Sequence, residues 1–166
     1  MNKNIVLIGF MGSGKSMIAR QLGKRLKRQV VATDDLIEAG QGMKIMDIFK
    51  SKGEACFRDL ERDIVLEVSR RQGIIIDCGG GVVLRKENLA NLKTNGIVFY
   101  LQAAPEVIYE RIRHERHRPL LKGPDPLGCI KELYIQRLPL YNQADHVIDA
   151  NDPSIEGPIG EILKRI

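Results

Sequence analysis

The chain has 166 residues, of which 43% are hydrophobic and 28% charged, with a formal net charge of +5 and a pI near 9.2. That length and balance suit one folded domain with a proper core and argue against a disordered or membrane-spanning chain. Three scattered cysteines (Cys56, Cys78 and Cys129) without a C-x-x-C pair argue against a disulfide framework or a zinc site and suit a reducing compartment.

In chain order, the apolar run "NIVLIG" (4–9) reads as a first strand and "GFMGSGKS" (9–16) as the turn after it. Gly9, Gly14, Lys15 and Ser16 meet the pattern G-x-x-x-x-G-K-[ST]. Such a loop curls so that its N–H groups form an anion nest, and the following helix adds its positive end. Lys15 is expected to reach the outer phosphates of a nucleotide, and the Ser16 hydroxyl to ligand Mg²⁺. A helix over 15–27 follows, ending in the basic "GKRLKR".

A second strand (30–33) leads into "TDDLIE", which sets Asp34 and Asp35 at a strand end and helix start. Two carboxylates there serve either as an N-cap with an acidic first turn or as part of a site. Helices are expected within 35–50 and over 54–71. In the second of these, Arg58 and Glu61 share a face at i and i+3. They form either a surface ion pair or a carboxylate steering an arginine toward an anionic substrate. A third strand (73–78) ends in "CGGG", where Gly79, Gly80 and Gly81 allow a turn or a close approach of ligand to backbone. Cys78 reads as a small core residue.

Further strands at 96–101 and 146–149 alternate with helices at 86–93, 105–114, 127–141 and 154–165. Runs such as "IIID" and "IVFYL" do not alternate with polar residues, which suits strands covered on both faces. The β-α order predicts an α/β fold with a parallel, doubly wound sheet and ligands at the carboxyl ends of its strands. Residues 113–128 are basic and punctuated by prolines, and read as a lid. Its arginines suit charge stabilisation during phosphoryl transfer and weaken a metal role for His114 and His117. The positive charge fits either nucleic acid or small anions, and the scarcity of aromatics favours the second. No segment has transmembrane length and the leading apolar run is too short for a signal peptide, so the cytoplasm is expected, with no membrane or nucleic-acid partner.

Taken together, "GFMGSGKS", "TDDLIE", "GEACFR", "CGGG", "RPLL" and "RLPLY", in this order, resemble shikimate kinase over nearly the whole chain. The resemblance implies a single P-loop domain over 1–166 with a five-stranded parallel sheet and helices on both faces. It would carry a substrate-binding insertion at about 34–61 and a lid at about 113–126. It implies transfer of the ATP γ-phosphoryl group to the 3-hydroxyl of shikimate with Mg²⁺, by a monomeric enzyme of aromatic amino-acid biosynthesis. Lys15, Asp34 and Arg118 would be catalytic. Gly12, Ser13, Gly14, Lys15, Ser16 and Met17 would hold the nucleotide phosphates, Arg118 would close on them, and Arg111 and Pro153 would border the base. Arg58 and Arg137 would grip the shikimate carboxylate. Asp34, Glu61, Gly79, Gly80 and Gly81 would complete its site.

One position departs from that pattern. The family usually reads D-x-D at the end of the second strand, and Ala32 stands where the first Asp would help to hold Mg²⁺. Asp77, beside the glycines, is either its replacement through metal-bound water or a carboxylate that caps a turn or pairs with a surface lysine. A kinase for another small metabolite on the same fold, and a binding protein without turnover, are the competing readings.

Overall fold

The computed structural model describes residues 3–115 and 121–166. Five parallel strands form one sheet: β1 (Asn4–Ile8), β2 (Val30–Ala32), β3 (Ile75–Asp77), β4 (Gly96–Gln102) and β5 (His146–Asp149), in the order β2-β3-β1-β4-β5. β1 lies at its centre, with Leu7 paired to Asp77 on one side and to Phe99 on the other. The period of two along each strand divides the apolar residues between two cores. Val6, Ile8, Ile76, Val98 and Tyr100 face one core, and Ile5, Leu7, Ile75, Phe99 and Leu101 face the other. Strands buried on both faces explain the unbroken apolar runs.

The helices are α1 (Lys15–Leu26), α2 (Thr33–Gln41), α3 (Ile45–Ser69), α4 (Lys86–Asn95), α5 (Pro105–Ile112), α6 (Pro126–Tyr141) and α7 (Glu156–Leu163). α3 contains one non-helical residue, Gly53, with φ 81° and ψ 170°, where the sequence suggested a break between two helices. Ile37, Ile48 and Phe57 form a small cluster of their own between α2 and α3, which stiffens the segment next to the carboxyl end of β2. A short 3₁₀ turn over Val82–Leu84, absent from the pattern reading, follows the three glycines. It is tied to α4 through fully buried Asn88, whose amide donates to the Val82 carbonyl at 2.9 Å. Among the described residues no helix is long and apolar enough to cross a membrane.

Candidate active site

The carboxyl ends of β1, β2 and β3 open into a cleft of about 610 Å³, the position that open α/β sheets favour for ligands. Its walls include Gly12, Gly14, Lys15, Ser16 and Met17 from the phosphate loop and α1, together with Asp34, Asp77, Gly79 and Gly80. Gly14 caps α1 with φ 94°, a left-handed conformation that a side chain resists. Lys15 is 8% exposed, and its ammonium donates to the carbonyls of Gly9 at 2.8 Å and Phe10 at 3.0 Å, holding the loop curled. Ser13 is a buried member of the loop, and Met17 is exposed on α1.

α2 begins at Thr33, two residues earlier than the pattern suggested, with Ala32 as its N-cap and no side-chain cap. Asp34 and Asp35 therefore lie in the first turn, and neither carboxylate caps the helix. Thr33 ties the helix start to the glycine segment: its hydroxyl oxygen accepts from the Gly79 N–H at 3.1 Å. Asp34 is turned toward Gly79, and its Oδ1 is buried without a hydrogen-bond partner among the described residues. Burial, reinforced by the charge of Glu61 and opposed by Lys15, pushes its carboxyl up to about 6.

Arg58 and Glu61 are not a surface pair. Glu61 is 1% exposed and accepts from Arg58 Nη1 at 2.7 Å, while Arg58 lies over the Phe57 ring. Burial pushes the Glu61 carboxyl up, with Arg58 pulling the other way. The Arg58 guanidinium packs directly against Gly81, so a Cβ there would collide with it. Arg137, from α6, reaches the same place over the Phe10 ring, with Nη1 3.5 Å from the Gly80 carbonyl and a buried Nε that has no partner among the described residues. Residues from α2, α3 and α6 thus converge on the three consecutive glycines of the turn after β3.

Asp77 is neither a turn cap nor a partner of a surface lysine. It is 8% exposed at the end of β3, and its Oδ2 accepts from the Ser16 hydroxyl at 2.5 Å. Burial raises its carboxyl, and the Ser16 bond partly offsets this. Cys78 is buried with its thiol pushed well up, which suits the core role and no nucleophilic one. Arg111 reaches from α5 to the Gly12 carbonyl at 3.4 Å and to the Ala150, Asn151 and Asp152 carbonyls, clipping the phosphate loop to the segment that carries exposed Pro153. Arg118 and His117 lie outside the described residues, as do the other positions of 116–120 within the expected lid.

Tyr141 is a site residue that sequence reasoning did not single out. Fully buried at the end of α6, it donates its hydroxyl to the Gly80 carbonyl at 2.5 Å and stacks on Tyr100 with ring centroids 4.9 Å apart. The only signal for it was its place in "RLPLY", since the partner lies 61 residues away.

A shikimate kinase family model matches residues 11–166. The chain belongs to the shikimate kinase family. The shikimate kinase of Thermodesulfovibrio yellowstonii is 43% identical over 163 residues, which cover 98% of this chain and 94% of that one. The shikimate kinase of Symbiobacterium thermophilum is also 43% identical, over 166 residues, with 98% and 95% covered. A solved shikimate kinase from Acinetobacter baumannii in complex with shikimate superposes with a TM-score of 0.93 at 32% identity, covering 99% of this chain and 93% of that one. The expected α/β fold with its five-stranded parallel sheet is thus borne out.

Proposed function

We propose that this shikimate kinase family member transfers the γ-phosphoryl group of ATP to the 3-hydroxyl of shikimate, giving shikimate 3-phosphate and ADP. The observation that carries the reading is a set of buried polar atoms without partners among the described residues, around the glycine turn: Asp34 Oδ1, Glu61 Oε1 and Arg137 Nε. Buried polar atoms are ordinarily satisfied, so such a set calls for a ligand with both donors and acceptors. A small carboxylate bearing several hydroxyls fits, with its carboxylate on Arg58 and Arg137 and its hydroxyls on Asp34 and the backbone at Gly79, Gly80 and Gly81.

In the proposed step the 3-hydroxyl oxygen attacks the γ-phosphorus, its proton passes to Asp34, and the bond to the β-phosphate oxygen breaks to release ADP. A carboxyl near 6 is mostly ionised at neutral pH yet basic enough to take that proton. Lys15, the loop N–H groups from Gly12 to Met17 and the positive end of α1 stabilise the phosphate charge, and Arg118 in the proposed lid over 113–126 adds to them. Arg111 and Pro153 border the proposed base site, and 34–61 forms the proposed substrate insertion. The monomer is the proposed functional unit.

Among the described residues no group of three His, Cys, Asp or Glu side chains could cage a metal. Mg²⁺ needs no such cage, because it takes one or two protein oxygens and completes its shell with phosphates and water. The hard oxygens of Ser16 and Asp77 in the cleft fit that demand. When bound there, the ion supplies charge neutralisation on the transferring phosphates.

A coupled assay of ADP release with shikimate, gluconate and nucleoside monophosphates as acceptors tests the reading. Shikimate should be preferred by a wide margin. Preference for another acceptor, or no shikimate-dependent release, would overturn it.

A further inference from the structure

We infer that the acidic partner of the nucleotide-bound Mg²⁺ in this chain is Asp77, supplied by β3, at a place where the adjoining strand β2 offers only a methyl group. This rests on the proposed ATP chemistry, though not on the identity of the acceptor.

Three observations converge. Asp77 is a nearly buried carboxylate at the carboxyl end of β3, within the same cleft wall as Lys15 and Ser16. Burying a carboxylate is costly, and one kept in a nucleotide cleft calls for a positive counterpart. Its hydrogen bond runs from the Ser16 hydroxyl at 2.5 Å, so the proton of Ser16 points at Asp77 and the oxygen lone pairs of Ser16 are left for a cation. Finally, Ala32 and Asp77 are direct partners in the parallel β2–β3 register, and Ala32 lines the cleft as well. Either position could therefore present a carboxylate beside Ser16, and only position 77 does.

Asp77 acts in two ways. It fixes the rotamer of Ser16, and it accepts hydrogen bonds from water on the metal. Partners of this kind typically change metal affinity 10- to 100-fold when removed. Lys15 and Arg20 attract the Asp77 charge, and Asp35 repels it.

The test measures metal binding directly. Mn²⁺ is titrated into the protein–ADP complex and followed by electron paramagnetic resonance, with Mg²⁺ as competitor, for the wild type, Asp77→Asn and Ala32→Asp/Asp77→Asn. Asp77→Asn should weaken metal binding roughly ten-fold while ADP affinity in excess chelator stays within two-fold. The double variant should recover part of the loss. Unchanged metal affinity in Asp77→Asn overturns the inference, as does an equal loss of metal-free ADP affinity, which would make Asp77 a prop of the loop. No recovery in the double variant overturns the exchange between strands. A chain that shows the metal effect but does not phosphorylate shikimate refutes the proposed acceptor and leaves Asp77 in place.

Discussion

Replacing Gly79 by alanine tests Asp34 without touching it. The backbone at Gly79 is not in the left-handed region, so alanine is tolerated there on conformational grounds. Its methyl carbon, however, would stand 2.5 Å from Asp34 Oδ1, 3.2 Å from Cγ and 3.3 Å from Oδ2. Restoring ordinary contact moves the carboxylate by about an ångström, a displacement that costs on the order of 10²-fold when it falls on reacting atoms. The carboxylate yields into the open cleft and not into the core, so the Tm should hold while kcat falls about 100-fold, or ~2.7 kcal/mol in the barrier. Steady-state and single-turnover ADP release measure the rate, and calorimetry measures the fold. A cycle with Asp34→Ala isolates the cause, because Gly79→Ala should add no further loss once the carboxylate is gone. Wild-type kcat in Gly79→Ala, or an equal fractional loss in the Asp34→Ala background, would refute the reasoning.

Arg137→Ala should lower kcat/KM for shikimate by about 2–5 kcal/mol and leave the KM for ATP nearly unchanged, because its guanidinium borders Gly80 and lies away from the phosphate loop. Collapse of ATP binding with shikimate binding intact would contradict the assignment. Asp34 predicts opposite effects on turnover and stability. Its carboxyl is raised from 3.8 to about 6, so the fold favours its protonated form, and that stability is present below pH 3.8 and lost as pH rises through 6. Asp34→Asn should therefore be more stable than the wild type at pH 8, by about 1–3 kcal/mol, with the gain gone near pH 4. For the wild type, kcat/KM for shikimate should fall on the acid side of about 6, and a flat profile there would exclude Asp34 as the proton acceptor. Tyr141→Phe leaves the Gly80 carbonyl with only the longer Arg137 contact, costing about 1 kcal/mol of stability in a denaturant titration and raising the KM for shikimate more than that for ATP.

Much of the site was legible because its parts are local. A phosphate loop needs its glycines, lysine and hydroxyl within one turn, so residues 9–16 announce it in a single stretch. The Arg58–Glu61 pair follows from helical spacing alone, and the two-sided sheet follows from strands without polar alternation. Helix starts were less legible: α2 begins at Thr33 because the turn is held by the Thr33–Gly79 bond, which no neighbour in sequence signals. That Glu61 is buried was equally hidden, since an i,i+3 pair reads the same on a wet face as on a packed one.

The rest was decided by the sheet. Its order, β2-β3-β1-β4-β5, brings the end of β3 between β2 and β1, and so sets Asp77 beside both Ala32 and the loop that carries Ser16. Tyr141 meets Gly80 from 61 residues away, and Arg111 meets Ala150 from 39. Backbone conformation is set by each residue and its neighbours within a turn, so the sequence by itself specifies strands, helices and the curl of the phosphate loop. Which strand ends lie side by side depends on how the apolar faces of distant segments exclude water together, and that is settled only when the whole chain has packed.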